Sequence, residues 1–227
     1  MSVGPRESAR DVRSWLRTFP GARIDLPSAA PPDPGADPYR VFLDWLEEAA
    51  TAGIAEPNVG VLATVDAGGD PDARVLVVRD VTADGWWFSG PSFSPKGVQL
   101  QTHPAAALTF YWGEHGRQVR IAGSVRVGDA DIAARDFRDR SATARAVAAA
   151  SKQSAELVDV ADYRRAVEEA AASVESDPDR VPEHWRAWCL RPDTVEFWQA
   201  DPGRRHLRWR YSRGAGEQVW TQAELWP

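Results

Sequence analysis

The sequence contains very little sulfur and few histidines. Its 227 residues include one cysteine, Cys189, one methionine and four histidines. A single cysteine excludes a disulfide within one chain and a cysteine-rich zinc site. The histidines are far apart, and neither H-x-x-x-H nor C-x-x-C spacing occurs. The sequence therefore predicts no metal site.

Positive charge and long apolar runs are also scarce. The 27 lysines and arginines against 33 acidic residues give a net charge of −6 and a pI near 5.3. This balance argues against a general nucleic-acid surface, which needs a basic field. No apolar run approaches the roughly 18 residues of a membrane span. Since the N-terminus also lacks the apolar core of a signal peptide, we expect a cytoplasmic protein without nucleic-acid or membrane partners.

Tryptophan, in contrast, is abundant, with 11 residues. Tryptophan favours half-buried positions where the ring packs and the indole N–H finds a partner. This abundance is typical of strands, of interfaces or of a planar ligand, and the count alone does not choose between them.

The first 36 residues have the composition of an extension. Residues 6–19 predict a short helix, and residues 26–38, with five prolines, predict a stiff extended connector. Asp37 followed by Pro38 predicts the start of a helix that ends near residue 53. We expect an N-terminal helix and Pro-rich extension over 1–36, and a single domain over 37–227.

From residue 58 the hydrophobic period changes to two, which is typical of strands. Five predicted strands follow one another with connections mostly too short for parallel crossovers, so they favour an antiparallel sheet or barrel. Helices are predicted at 95–102, 129–151 and 160–174. Further strands are predicted at 184–192, 193–200, 205–213 and 217–225. The expected fold class is α+β, mainly β.

The segment Ser94-Pro95-Lys96-Gly97 follows a predicted strand and opens a helix. Ser94 suits the N-cap and Pro95 the first helical position. The free N–H groups of that turn, together with the ammonium of Lys96, would attract a phosphate. An ordinary capped helix with a solvated lysine explains the same residues.

Residues 204–211 alternate between cationic and apolar side chains, which predicts a two-faced strand. The cationic face would carry Arg204, His206, Arg208 and Arg210. Like charges on one strand face repel unless they are solvated or neutralised, so the row suits an anionic ligand. A solvent-facing strand is the alternative.

Several other polar residues are open to two interpretations. Gln153 and Ser154 close the Ala-rich helix, where they either cap the chain or contact the edge of a heterocycle. Gln118 and Arg74 each begin a strand and are either edge residues or ligand contacts. No P-loop, nucleophile elbow or G-x-G-x-x-G is present, so a bound nucleotide would not be held in Rossmann fashion.

The polar motifs occur in a fixed order: ATVD…ARVLVV, SPKG, GRQV, SKQS, EFWQ and R-x-H-x-R. This ordered set resembles the pyridoxamine 5′-phosphate oxidases and the related oxidases of phenazine biosynthesis, from about Asp37 to Pro227. The Pro-rich N-terminal stretch and Tyr111-Trp112 are more similar to the phenazine branch.

The resemblance implies an FMN-binding split β-barrel with peripheral helices, and a homodimer with FMN at its interface. The residues implied to hold FMN are Arg74, Ser94, Lys96, Gln118, Gln153, Ser154, Trp198 and Arg208. Arg204 and His206 are implied as the catalytic pair that holds the substrate over the flavin. Arg79, Asp136 and Arg140 are implied to bind the far end of the substrate.

The chain departs from the family at the substrate end. The family usually holds the substrate phosphate with Lys, Tyr, Arg and Ser, and those positions here are Arg79, Asp136, Arg140 and Ala144. Asp136 would repel a phosphate, while the two arginines still offer positive charge. We therefore expect an FMN-dependent oxidase of a reduced aromatic or nitrogen-heterocyclic small molecule in specialised metabolism, using O2 and releasing H2O2. The alternatives are a pyridoxamine/pyridoxine 5′-phosphate oxidase and a non-catalytic flavin or pyridoxal-phosphate binding protein.

Overall fold

A computed structural model describes residues 11–19, 26, 31–214, 217 and 219–227. Within these residues, nine strands form one sheet, every strand pair is antiparallel, and six α-helices surround the sheet. The prediction of an α+β fold, mainly β, is confirmed.

The helices are α1 (Val12–Leu16), α2 (Pro38–Thr51), α3 (Pro95–Thr102), α4 (Ala130–Arg138), α5 (Ala142–Ala150) and α6 (Val160–Ser176). The strands are β1 (Val59–Val65), β2 (Pro71–Val77), β3 (Asp80–Thr82), β4 (Gly85–Pro91), β5 (Ala105–Trp112), β6 (Arg117–Val127), β7 (Trp185–Gln199), β8 (Leu207–Ser212) and β9 (Thr221–Glu224). The strand order is β2-β1-β5-β6-β7-β4-β3, and β8 pairs with both β7 and β9.

The long strand β7 organises the sheet. Its first half pairs with β4 and its second half with β8, while β6 runs along its other edge. The register with β6 shifts between Ala122 and Gly123. A side chain at Gly123 would lie 2.1 Å from the carbonyl oxygen of Arg191, so the shift requires glycine there. The two strands predicted at 184–192 and 193–200 are therefore one continuous strand, and that part of the prediction is wrong.

The inward side chains of the strands form a core beneath α2. Phe42 of α2 is fully buried and packs against Trp86, Phe110 and Trp112, with ring centroids 4.8 to 6.0 Å away. Trp87 points to the other side of β4 and joins a second cluster with Phe137. Most of the abundant tryptophan is therefore explained by packing in the core.

Two predicted segments are interrupted by turns. The helix predicted at 129–151 is two helices, and the hydroxyl of Ser141 caps α5 by accepting the N–H of Ala144 at 3.2 Å. The strand predicted from Arg204 begins only at Leu207, because Arg204 has a φ of +61° and lies in the preceding loop. Arg204 and His206 therefore lie outside β8, and the prediction that they belong to one strand with Arg208 is wrong.

The Pro-rich stretch lies against the C-terminal strands where it is described. The hydroxyl of Tyr211 donates to the carbonyl of Asp33 at 2.9 Å. Asp37 caps α2 ahead of Pro38, as predicted. Residues 6–10 of the predicted first helix and residues 27–30 of the connector lie outside the described residues. The division at residue 36 stays a prediction.

Candidate active site

The start of α3 forms a buried cationic pocket. Ser94 is the N-cap: its hydroxyl donates to the carbonyl of Pro91 at 2.7 Å and accepts the N–H of Gly97 at 3.3 Å. The ammonium of Lys96 is 6% exposed and donates to the Ser94 hydroxyl at 3.2 Å. A side chain at Gly90 would lie 2.7 Å from Lys96 Nζ, so the glycine leaves room for the ammonium.

The charge of Lys96 is not neutralised locally. Burial, with smaller contributions from Arg74 and Arg140, lowers the pKa of Lys96 to about 8. Among the described residues, no carboxylate forms an ion pair with it. A buried ammonium is costly without an anionic partner, so these residues fit an anionic group such as a phosphate.

Arg74 lies beside this pocket in a network that the sequence did not predict. Its guanidinium pairs with Asp72 and donates to the hydroxyl of Thr64 and to Gln99 Oε1, the latter at 3.0 Å. Gln99 also donates to Asp72 at 3.1 Å. Gln99 is three residues after Lys96 on α3, a helical spacing that was the available signal for its role. The network holds the guanidinium in one orientation.

Gln153 joins the same pocket from the loop after α5. Its side-chain oxygen accepts from Lys96 Nζ at 3.5 Å, the weakest of the contacts in this pocket. Ser154, the next residue, has a φ of +70°, a left-handed conformation that is unusual for serine. The structure therefore brings together Arg74, Ser94, Lys96 and Gln153, which we call the Lys96 cluster.

A second set of predicted residues lies in one row across the sheet. Gln118 of β6 is paired with Trp198 of β7, which is paired in turn with Arg208 of β8. Because successive side chains alternate, these three point away from the core side occupied by Val119, Phe197 and Trp209. We call Gln118, Trp198 and Arg208 the outer-face row.

Arg208 already has partners in the chain. Its guanidinium donates to Glu196 at 2.9 and 3.1 Å and to the carbonyl of Trp226 at 2.9 Å. Glu196 is 12% exposed, so the pair is largely sheltered from water. Arg208 is thus held rigidly, with much of its charge neutralised.

His206 and Arg204 lie in the loop before β8, next to the outer-face row. The His206 ring lies 5.0 Å from the Trp198 ring, between centroids, and its Nδ1 accepts the N–H of Asp201 at 3.2 Å. Arg204 is exposed. No hydrogen bond or ion pair between described residues joins Arg204 or His206 to the Lys96 cluster.

A third cluster surrounds Asp136 of α4. Its carboxylate accepts from Arg79 at 3.3 Å, from Arg140 at 3.4 Å and from the indole N–H of Trp185 at 3.0 Å. Arg140 also donates to Ser89 at 2.7 Å. Burial lowers the pKa of Arg140, and the Asp136 carboxylate opposes that shift. The expectation of two free cations at this position is corrected, since Asp136 pairs with both arginines.

A cavity of about 320 Å³ opens beside this cluster. Its wall includes Arg79 and Asp136, with Trp87 and Phe88 providing aromatic surface. Sequence reasoning missed Trp185, whose indole holds Asp136, because the contact spans 49 positions. Arg140, which pairs with Asp136, donates to Ser89, and Lys96 lies against the next residue, Gly90, so the Asp136 cluster is next to the Lys96 cluster.

Two findings concern what the described residues lack. No helix among them is both long and apolar enough to cross a bilayer. No group of histidine, cysteine and acidic side chains among them is arranged to hold a metal ion.

Two family models together match residues 46–227. The model described as pyridoxamine 5′-phosphate oxidase matches residues 46–199, and the one described as the pyridoxine 5′-phosphate oxidase C-terminal dimerisation region matches residues 185–227. A pyridoxine/pyridoxamine 5′-phosphate oxidase of Burkholderia cenocepacia is 40% identical, covering 91% of this chain and 94% of its own. A protein of the same name from Rhodopseudomonas palustris is 38% identical, covering 84% and 90%.

Solved structures show the same fold. PhzG from Burkholderia lata, in complex with tetrahydrophenazine-1-carboxylic acid, superimposes with a TM-score of 0.83 at 30% identity, covering 89% of this chain and 99% of that one. A pyridoxamine 5′-phosphate oxidase-related, FMN-binding protein from Nostoc punctiforme has a TM-score of 0.69 at 22% identity, covering 86% and 100%. The predicted split β-barrel with peripheral helices is confirmed.

Proposed function

Because the chain belongs to the pyridoxamine 5′-phosphate oxidase family, we propose that it is an FMN-dependent oxidase of a reduced aromatic or nitrogen-heterocyclic small molecule. The reaction uses O2 and releases H2O2. The resemblance read from the motifs is confirmed by the family match. FMN is the cofactor, and when bound it supplies a two-electron acceptor that dioxygen can reoxidise.

The observation that carries this proposal is the buried, unneutralised Lys96 at the start of α3. The ammonium of Lys96 holds the FMN phosphate at the N-terminal end of α3, where a helix attracts anions, and Ser94 keeps this turn in place as its N-cap. Arg74, oriented by Asp72 and Gln99, adds guanidinium N–H donors, although Asp72 balances its charge. The phosphate thus fits a cluster in which no described carboxylate balances the charge of Lys96.

The outer-face row completes the site from a second chain. Trp198, Arg204, His206 and Arg208 all fall within residues 185–227, which match the family's dimerisation region. Trp198 and Arg208 lie on the outer side of the sheet, which a partner protomer can cover, and the His206 ring lies against Trp198. We propose that this region of one protomer faces the Lys96 cluster of its partner, so that FMN lies at the homodimer interface.

His206 and Arg204 orient the substrate in this arrangement. The backbone N–H of Asp201 occupies His206 Nδ1, so Nε2 is the nitrogen left for the substrate. The exposed guanidinium of Arg204 binds an anionic or hydroxylated group of the substrate. Arg208, held by Glu196, keeps the strand beneath the flavin in place.

Two observations favour two substrate classes. The similarity to PhzG, solved with a reduced phenazine carboxylic acid, supports a phenazine-like substrate. The curated relatives near 40% identity carry the name pyridoxine/pyridoxamine 5′-phosphate oxidase, which supports the second candidate function. The pairing of Asp136 with both arginines favours the first, since it leaves little charge for a substrate phosphate.

The test is an oxidase assay on the purified chain reconstituted with FMN. Oxygen uptake and peroxide release are measured with a reduced tricyclic nitrogen heterocycle and with pyridoxamine 5′-phosphate. We expect faster turnover of the heterocycle. Efficient conversion of pyridoxamine 5′-phosphate to pyridoxal 5′-phosphate would support the second candidate, and a flavin that neither compound reduces would indicate a non-catalytic binder.

A further inference from the structure

The cationic side chains near the candidate site form a series with carboxylates at both ends. Asp72 pairs with Arg74 at one end, and Asp136 pairs with Arg140 and Arg79 at the other. Lys96 lies between them: Arg74 donates to Gln99, three residues after Lys96 on α3, and Arg140 donates to Ser89, next to the Gly90 on which Lys96 packs. Among the described residues, carboxylates therefore pair with the arginines at both ends of this series. Lys96, in its middle, is left for one anion.

A pyridoxamine 5′-phosphate oxidase must hold two phosphates, one on FMN and one on the substrate. The Lys96 cluster would hold the phosphate of FMN. The position that would receive the second is next to Arg79 and Arg140, and there the carboxylate of Asp136 accepts from both guanidinium groups. The protein itself thus supplies an anion where a phosphorylated substrate would bring one.

We propose that Asp136 is a specificity-determining residue, an internal counter-ion for Arg79 and Arg140 that makes the chain discriminate against substrates with a phosphate at this cavity. The inference deepens the proposed function and rests on it. The two arginines and the carboxylate carry a net charge of +1, which is too little to balance the −2 charge of a phosphate dianion. Substrates with a neutral or singly charged group at this end are therefore favoured.

Asp136 is built into this position rather than placed there by chance. Its side chain is 11% exposed, and the indole N–H of Trp185 binds the same carboxylate oxygen, Oδ2, as Arg140. The guanidinium of Arg140 also stacks on the Trp185 ring, 4.5 Å from its centroid. A phosphate could bind both arginines only by displacing a carboxylate that three donors hold, and the two anions would repel each other.

The first measurement needs no variant. The chain, loaded with FMN, is titrated with 4-deoxypyridoxine 5′-phosphate and with 4-deoxypyridoxine, which lack the oxidisable substituent, and binding is followed by flavin fluorescence. The ratio of the two dissociation constants reports the contribution of the phosphate. We expect the phosphate to strengthen binding by no more than about threefold, because Asp136 leaves the two arginines with only one net positive charge. A preference of about tenfold or more for the phosphorylated compound would overturn the proposal.

The second measurement removes the charge of Asp136. In Asp136→Asn the amide oxygen can still accept from Trp185, while both arginines lose their counter-ion. We expect the preference for the phosphorylated probe to rise by about tenfold or more, as for one regained charge-assisted hydrogen bond. Asp131→Asn, an exposed carboxylate on the same helix, is the matched control and should leave the ratio unchanged.

A third variant covers the case in which Asp136→Asn does not fold. Since Asp136 already pairs with Arg79, Arg79→Gln should lower the phosphate preference by no more than about threefold, and a fall of about tenfold or more would contradict the proposal. An unchanged ratio in a folded, FMN-loaded Asp136→Asn would contradict it as well. Failure of the wild type to bind FMN would instead refute the proposed function, so the two failures are distinguishable.

Discussion

Lys96 is the residue on which the candidate cofactor site most depends. Replacing it by methionine removes the central cation, so we expect FMN affinity to fall about 10- to 100-fold, the loss of a charge-assisted hydrogen bond. The FMN-free variant should be at least as stable as the wild type, because a buried, unpaired charge is gone. Fluorescence titration with FMN and urea unfolding measure the two effects.

The chain's other lysine, Lys152, provides the control. It is exposed in the loop after α5, so Lys152→Met should leave both measurements unchanged. Equal loss of FMN affinity in the two variants would mean that general positive charge, rather than the pocket at α3, attracts the cofactor.

The titration of Lys96 predicts how FMN binding depends on pH. Its pKa in the FMN-free chain is about 8, lowered by burial and by Arg74 and Arg140. Below pH 8 the ammonium is already charged, so binding needs no proton. Above pH 8 it is neutral, and binding the phosphate dianion must take up a proton. We expect the dissociation constant for FMN to rise by up to about tenfold per pH unit above 8.

The control for this pH dependence is Lys96→Met, which has no ammonium to titrate. Its affinity for FMN should be weaker at all pH values and should not show the rise above pH 8. A wild-type affinity that stays constant between pH 7 and 10 would show that Lys96 does not contact the phosphate.

At the residue scale, the sequence predicted groups that local spacing brings together. Ser94 and Lys96 share one helical turn, so their proximity follows from the motif itself. Thr64 and Trp185 were missed, because they reach Arg74 and Asp136 across 10 and 49 positions. The pairing of Asp136 with Arg79 was missed for the same reason, since Arg79 is 57 positions away, whereas the i,i+4 spacing of Asp136 and Arg140 was an available signal.

Among the structural elements, α3 positions the Lys96 cluster by packing closely on the turn before it. A side chain at Gly97 would lie 2.4 Å from the carbonyl oxygen of Ser92, and backbone atoms cannot easily give way. We expect Gly97→Ala to shift α3, to cost about 1–3 kcal/mol of unfolding free energy and to weaken FMN binding. Chemical unfolding and FMN titration would measure both effects.

Gly35→Ala is a suitable control, because a side chain there would lie an ordinary 3.5 Å from Asp33 Oδ1. We expect it to change stability little and FMN affinity not at all. If Gly97→Ala bound FMN as tightly as the wild type, the close packing of α3 would not matter to the site.

At the scale of elements, the period-two pattern and the cap at Asp37 predicted strands and α2 correctly. The break between α4 and α5 was missed because Ala-rich stretches lie on both sides of it, and the cap at Ser141 marks the start of the second helix. The start of β8 was misplaced because charge alternation continues into the loop, where Arg204 has a positive φ. Tertiary contacts set these boundaries rather than local pattern.

At the scale of the whole molecule, the outer face of the sheet carries an apolar patch. Val61 and Val75 are paired across β1 and β2, and Val75 is 67% exposed. Val61 is also paired with Thr109 of β5, the strand next to β6, where the outer-face row begins. A contiguous exposed apolar patch is typical of an interface, so we expect the partner protomer to cover this face.

Val75→Glu places a charge in the centre of that patch. We expect the dimer dissociation constant to rise about tenfold or more in sedimentation velocity, because an unpaired carboxylate would be buried. FMN affinity should fall in parallel, although Val75 does not belong to the Lys96 cluster. Leu43→Glu, on the exposed side of α2, is the control and should preserve the dimer. A Val75→Glu monomer that retains stoichiometric FMN would contradict a site shared between protomers.

The most direct test of the proposed oxidase is anaerobic reduction of the bound flavin. The FMN-loaded chain is mixed without oxygen with a reduced tricyclic nitrogen heterocycle, or with pyridoxamine 5′-phosphate, and loss of the yellow flavin absorbance is followed. We predict that the heterocycle bleaches the flavin faster and that admitting air restores the colour with release of peroxide. Faster bleaching by pyridoxamine 5′-phosphate, or no bleaching by either compound, would contradict the proposal.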